Sequence, residues 1–319
     1  MYNDFYRFSE DPFFLTPDTR SLFLPENHKE VLHAILSGVQ ERKGFMVLIG
    51  EKGVGKTTLI HHVLNLFDEK VRTVFVSQDL RTIENILEFM IRELGLPLRE
   101  KSKGAMILQL EEYILQQSAL DKTLVVIVDN AQNLGREVIE EIRLLAGTDP
   151  RKPKFIQEIF VGNWKFEEML NLNLLRQLKQ RISVRCVLPP FREAETREFM
   201  ERRLALAGSK VSDVFSAEAV DRICQYSGGV PLLTNLICHL ALVDGFALSR
   251  KPIDALLVEN VLSMVGQRAA LPGAPQGKFA GRMADLFAAS SWIMKIAYTL
   301  LAYSLVAWII FLLSGLGRA

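Results

Sequence analysis

Gly50-Glu51-Lys52-Gly53-Val54-Gly55-Lys56-Thr57 lies between an apolar run and a helical pattern, and its reading decides the fold. Phe45 to Ile49 reads as a short buried strand, and Leu59, Ile60, Val63, Leu64 and Leu66 recur on one face of a helix beginning near Thr57. Strand, glycine-rich loop and helix follow in the order that holds a phosphate group. Gly50, Gly53 and Gly55 permit positive φ and a close backbone approach, so successive amides and the helix amino end face an anion. Lys56 is expected to reach the β and γ oxygens, and the Thr57 hydroxyl to ligand Mg²⁺. The expected nucleotide-binding set is Gly50, Glu51, Lys52, Gly53, Val54, Gly55, Lys56, Thr57 and Thr58, with ATP as ligand.

A second run, Leu124-Val125-Val126-Ile127-Val128-Asp129, is continuously apolar and β-branched, as in a central parallel strand buried on both faces. Asp129 then falls at the carboxyl end of the strand, where α/β sheets bind ligands. Taken alone, an acid that caps the next helix is the better reading. Beside a phosphate loop, coordination of Mg²⁺ through water is the expected role, so Thr57 and Asp129 form the expected metal pair.

At 319 residues the chain accommodates a nucleotide-binding domain and a smaller one. A net charge of +1 gives no global basic field of the kind that nonspecific nucleic-acid binding favours. Cys186, Cys224 and Cys238 lie apart in apolar contexts without CxxC spacing, which reads as buried thiols in a reducing cytoplasm. Met1 to Asp11 mixes aromatics with acids, so no signal peptide is expected. From Ile296 to Leu316 no charged residue occurs, long enough at about 1.5 Å per residue to cross the hydrocarbon. One transmembrane helix is expected there, a buried core helix being the alternative. Lys278, Arg282 and Lys295 precede the span and Arg318 follows it, which puts the amino-terminal part in the cytoplasm.

Phe- and Pro-rich residues up to Glu26 are expected to wrap the domain rather than join a sheet. Helices are expected over His28 to Gln40, Arg81 to Leu94, Lys103 to Gln117 and Glu137 to Leu145. Further strands are expected over Val71 to Ser77, Phe155 to Val161 and Ser183 to Leu188. The alternation indicates a parallel sheet with helices on both faces. Beyond Pro189-Pro190 only helical spacing remains: Glu193 to Ala207, Ala217 to Tyr226, Pro231 to Leu248 and Ile253 to Val265. Gly266 to Gly277 reads as a linker.

Together these features resemble the AAA+ superfamily, and more closely the ATPases of the general secretion pathway A type and relatives in exopolysaccharide export loci. The resemblance covers nearly the whole chain. It rests on Phe5-Tyr6-Arg7-Phe8, Asp11-Pro12-Phe13, Leu15-Thr16-Pro17-Asp18, Glu41-Arg42-Lys43-Gly44-Phe45 and Ala131-Gln132-Asn133-Leu134. Glu141-Ile142-Arg143-Leu144-Leu145, Val161-Gly162, Leu175-Arg176-Gln177-Leu178, Gln180-Arg181-Ile182 and Gly229-Val230-Pro231 continue it in order. The implied fold is an α/β P-loop NTPase parallel sheet, then an all-α lid domain and one C-terminal transmembrane helix. The implied segments are 1–26 wrapping, 27–190 nucleotide-binding, 191–265 lid, 266–295 linker and 296–316 transmembrane. The implied place is the bacterial inner membrane, single-pass, and the implied partners are further copies of the chain and envelope transport or polysaccharide export proteins.

By position, the resemblance implies that Lys56, Thr57 and Asp129 meet nucleotide and Mg²⁺, and that Asn163 senses the γ-phosphate. Arg181, with Arg176 second, matches the finger offered to a neighbouring subunit. Pro12 and Phe13 line the adenine pocket by the same resemblance, core packing being the alternative for Phe13.

Three departures qualify the activity. Asn130 stands where the family usually has a glutamate that polarises the attacking water, leaving Asn130 or Gln132 to orient it. Gly229-Val230-Pro231-Leu232 replaces Gly-x-Pro-Arg, so the lid arginine is missing, and with it a charge-assisted contact. The periplasmic wall-binding domain often found in these proteins is not expected after Arg318. A slow ATPase is therefore the leading expectation and a non-hydrolysing ATP-dependent switch or scaffold the alternative. A nucleic-acid ATPase resembling transposition helpers is third.

Overall fold

In a computed structural model of the protein, residues 2–15, 22–77, 80, 82–145, 155–172 and 176–269 are described. A four-residue helix α1 (Asn3–Tyr6) precedes α2 (Glu26–Gln40), after which strand and helix alternate: β1 (Phe45–Gly50), α3 (Lys56–Leu66), β2 (Val71–Val76), α4 (Ile83–Glu93), α5 (Lys103–Ala119) and β3 (Thr123–Val128). There follow a one-turn 3₁₀ helix at Ala131–Asn133, α6 (Arg136–Leu145), β4 (Ile156–Gly162), α7 (Trp164–Asn171), α8 (Arg176–Lys179) and β5 (Val184–Leu188). Helices alone complete the chain: α9 (Glu193–Leu206), α10 (Val211–Val214), α11 (Ala217–Ser227), α12 (Pro231–Ala247) and α13 (Ala255–Ala269).

The five strands are all parallel in the order β2-β3-β4-β1-β5. β1, β3 and β4 are buried at every residue, whereas the edge strands β2 and β5 are covered only in part. That difference explains why Phe45 to Ile49 and Leu124 to Val128 are unbroken apolar runs: a central strand between two helical layers has no solvent face. Each such Val, Leu or Ile stabilises the fold by about 1.5–3 kcal/mol.

Local chemistry sets the helix limits. Thr82, Ser102 and Ser216 accept backbone N–H bonds at the amino ends of α4, α5 and α11. Gly95, in the left-handed region, follows α4 and stops it, and Pro231 opens α12 at a position that needs no N–H donor.

The chain divides into two compact units, Met1–Glu259 and Asn260–Ala319. The first holds the sheet and the helices from α1 to α12. Of the second, residues 260–269 are described and continue α13.

The fold class requires one correction. The span expected to cross a membrane, residues 296–316, lies outside the described residues, and among the described residues no helix is long and apolar enough to do so. The most apolar long helix, α12, has 17 residues and packs inside the protein, short of the about 20 that a bilayer requires. The supported fold is a P-loop α/β sheet followed by a helical part, and a C-terminal transmembrane helix has no support among the described residues. Single-pass placement and membrane contact, which rested on that span, lose their support.

Candidate functional site

β1 delivers the glycine-rich loop at the carboxyl edge of the sheet, and α3 leaves it. Gly55 takes φ 99° as the N-cap of α3, and Gly53 takes φ 86°, both in the left-handed region that glycine enters most easily. A Cβ on Gly53 would stand 2.8 Å from the Leu232 Cβ, so the loop also needs glycine for its approach to α12. Val54 is buried and pins the loop, leaving the backbone amides around Lys56 at a helix amino end suited to anions.

The Lys56 ammonium donates to the carbonyls of Gly50 at 2.9 Å and Glu51 at 2.7 Å. Burial lowers its pKa from 10.5 to about 8, against the opposing pull of the Asp129 and Glu51 carboxylates. The Thr57 hydroxyl donates to Asp129 Oδ2 at 2.6 Å. These two residues, 72 positions apart in sequence, meet because β3 ends level with the loop. A hydroxyl and a carboxylate are the hard oxygen donors that Mg²⁺ prefers, and an ammonium with free helix amides suits a triphosphate. The residues present fit both groups.

Behind Asp129 the chain turns sharply. Asn130 adopts φ 56°, its N–H donates to Asp129 Oδ1 at 2.8 Å, and its side chain is exposed. Gln132 Nε2 donates to Asn130 Oδ1 at 3.2 Å, while Gln132 Oε1 accepts from the Asn163 N–H at 3.2 Å. Asn163 Oδ1 in turn caps α7 by accepting from the Lys165 N–H at 3.0 Å. Asn130, Gln132 and Asn163 thus form one hydrogen-bonded row along the ends of β3 and β4, each amide already engaged at one end or both.

Arg181 does not join this set. It is exposed just before β5, where the Ser183 N–H donates to the carbonyl of Phe45, the first residue of β1. The phosphate loop leaves the other end of that six-residue strand, roughly 17 Å away along it. Arg176 lies in α8, its side chain outside the described residues.

A cavity of about 370 Å³ opens over the loop, within the range of small-ligand sites. Lys52 through Leu59, Asp129 and Asn130 form one end; Gly50 and Glu51 do not line it but serve Lys56 through their carbonyls. The rest comes from Pro231 and Leu232, where the family arginine is missing, and from residues without a sequence signal of their own: Leu15, Leu22, Phe23, Leu24 and His28 from the amino-terminal region, and Phe191, Phe199, Arg203 and Asn235 from the helical part. Pro12 and Phe13 are absent from this wall. Phe13 is fully buried and meets the Phe215 ring edge-on at 6.2 Å, so core packing, the alternative for Phe13, is what it does. His28, a polar residue on the apolar face of α2, was the signal that could have marked the wall.

The helical part meets the loop directly. The Leu232 N–H donates to the Gly53 carbonyl at 3.2 Å, and the Phe191 N–H to the Gly229 carbonyl at 2.8 Å. Leu232 packs its side chain on Gly53 where the family arginine would project.

Such a sheet order, loop and acid define a P-loop nucleotide-binding protein of the AAA+ class. Residues 39–170 match the AAA domain family. The chain is similar to General secretion pathway protein A of Aeromonas hydrophila, to which it is 34% identical over 249 residues, 77% of this chain and 45% of that protein. It therefore spans about half the length of that curated relative. Among solved structures, the Aeropyrum pernix ORC2 protein in ADPNP-ADP complexes has a TM-score of 0.56 at 18% identity, over 78% of this chain and 73% of that one. Cdc6p from Pyrobaculum aerophilum gives 0.59 at 17% over 85% and 74%, and a point variant of Thermotoga maritima RuvB gives 0.52 at 14% over 79% and 73%. At these identities the likeness is one of fold.

Proposed function

We propose that this protein binds ATP with Mg²⁺ at Gly50 to Thr58 and hydrolyses it slowly, in support of the assembly or operation of a secretion or exopolysaccharide export system. The observation that carries the reading is the contact of Thr57 with Asp129 at 2.6 Å beside Lys56, coupled to an amide, Asn130, where a carboxylate would be needed for fast turnover. Thr57 and Asp129 would hold the cation, which supplies charge neutralisation on the phosphates, and Lys56 would hold the β and γ oxygens. Asn130, Gln132 and Asn163 would orient water and feel the γ-phosphate; none of them can take a proton from the water. Arg181, at the opposite end of β1 from its own loop, would serve a neighbouring copy in a homo-oligomer. Residues 27–190 would form the nucleotide domain and 191–265 its lid, with 1–26 wrapped over both. The export role is carried over from the printed name of the relative and the motif resemblance.

A second reading, a nucleotide-dependent switch without turnover, is favoured by Gln132, whose amide is committed at both ends and holds Asn130 in place. Nucleotide titration and phosphate release by the full chain separate the two. Release above that of a Lys56→Ala variant supports the slow ATPase. Binding with release equal to that variant supports the switch, and no binding at millimolar ATP sinks both.

A further inference from the structure

Two uncharged polar side chains on the cavity wall, His28 and Asn235, carry atoms without hydrogen-bond partners among the described residues. His28, in the first turn of α2, is 4% exposed, and neither ring nitrogen has a hydrogen-bond partner among the described residues. Its ring centroid lies 5.0 Å from that of Phe191. Asn235, on α12, is 8% exposed; its Nδ2 donates to the Phe14 carbonyl at 3.3 Å, whereas its Oδ1 has no partner among the described residues. Folded proteins leave few buried polar groups unsatisfied, and two on one cavity wall point to an occupant that satisfies them.

The chemistry of that occupant follows from the groups. The Phe14 carbonyl fixes which end of the Asn235 amide is the donor, so the end left over is an acceptor. Burial pushes the His28 pKa down to about 4, against the pull of the Glu195 carboxylate, so the ring is neutral near pH 7 and carries one donor and one acceptor. Around them Phe23, Phe191 and Phe199 form an apolar aromatic cluster. A flat heteroaromatic ring that offers N–H donors and ring-nitrogen acceptors matches this wall.

Resting on the ATP-binding reading above, we infer that His28 and Asn235 determine the base specificity of the site: Asn235 Oδ1 accepts from the exocyclic amine of an aminopurine, and His28 hydrogen-bonds its ring edge. A 6-oxo base would set oxygen against oxygen at Asn235 and lose the pairing. A site built around a buried acceptor rejects an analogue lacking the matching donor.

Competition binding to the full chain, with ATP, inosine triphosphate, 2′-deoxy-ATP and inorganic tripolyphosphate, tests this. Wild type should bind ATP about tenfold or more tightly than inosine triphosphate, the scale of one neutral hydrogen bond. Asn235→Leu and His28→Leu should each bring that ratio to within about twofold while tripolyphosphate binding stays the same. Equal wild-type affinity for ATP and inosine triphosphate overturns the inference without any variant having to fold. A retained preference in both variants overturns it, as does a loss confined to 2′-deoxy-ATP, which assigns the acceptor to the sugar. In all three cases tripolyphosphate still binds and the phosphate-loop reading stands; failure of wild type to bind any of the four probes removes that reading and this one together.

Discussion

Replacing Asn130 by glutamate would supply the carboxylate that, under the proposed function, the site lacks for proton transfer, and the structure sets both its cost and its gain. Asn130 sits at φ 56° and ψ 40°, a left-handed conformation that asparagine tolerates and a longer side chain resists by about 1 kcal/mol. The new carboxylate also lies next to Asp129, but the position is exposed and solvent screens the repulsion. Asn130→Glu should therefore lower the melting temperature by about 1–2 °C, the shift that about 1 kcal/mol produces in a chain of this size. Gln132 Nε2 can still donate to the new side chain, so the row toward Asn163 survives. A positioned general base contributes about 10²–10⁴-fold, so phosphate release per enzyme should rise by about 100-fold or more with little change in KM. Steady-state phosphate release, with thermal melts and nucleotide titration on the same preparations, measures this. A variant that folds and binds ATP as wild type does, yet releases phosphate no faster, refutes the assignment of Asn130 as the limiting position.

Other expectations follow from neighbouring contacts. ATP affinity should fall as pH rises through about 8, by up to about tenfold per unit, because Lys56 holds phosphate only when protonated; titration between pH 7 and 9.5 checks this, and Lys56→Arg should flatten the profile. Between about 8 and 10.5 the unfolded chain binds more protons at Lys56 than the folded one, so its contribution to stability without nucleotide rises with pH across that window. Gly229→Ala should cost about 3 kcal/mol or more in a denaturant melt, because its Cβ would fall 1.8 Å from the Phe191 carbonyl oxygen at a φ of 76°. Leu232→Arg should raise kcat/KM for ATP by about tenfold through a charge-assisted contact, and an unchanged value would show that the first turn of α12 cannot direct a side chain to the phosphates.

Much of this architecture was legible because burial wrote it into residue type. β1 and β3 are solvent-free on both faces, so their apolar runs mark them to within a residue, and the glycines ahead of Lys56 mark the loop. α7 and α8 escaped notice: α7 buries only Phe166 and Leu170, two positions one turn apart, too few to show a period. The insertion of β4 between β1 and β3 is a long-range pairing with no local signature. The same reason hid the row from Asn130 through Gln132 to Asn163, whose members were each picked out singly. For Phe13 the resemblance left a pocket wall and core packing both open, and it meets Phe215, because an aromatic residue near a site and one in the core beside it have the same composition.

The cavity is assembled from three parts of the chain, and this constrains what nucleotide can do in it. The loop supplies one end, the helical part closes over Gly53 through the Leu232 N–H, and the amino-terminal segment is tied to the helical part rather than to the sheet. That tie includes the Tyr2 hydroxyl lying 3.0 Å from His239 Nδ1, the Tyr6 hydroxyl donating to the Leu242 carbonyl at 3.3 Å, the Ser9 N–H donating to the Ala207 carbonyl at 3.0 Å, and the Phe14 carbonyl accepting from Arg203 at 3.2 Å and Asn235 at 3.3 Å. Any ligand touching both the loop and the Phe23 wall bridges the sheet to this strapped helical layer. With Asn130 in place of a base, that bridge would outlast the time a fast ATPase allows. Under the slow turnover proposed above, long-lived closure and slow release would be one property of the site, set by a single amide at the end of β3.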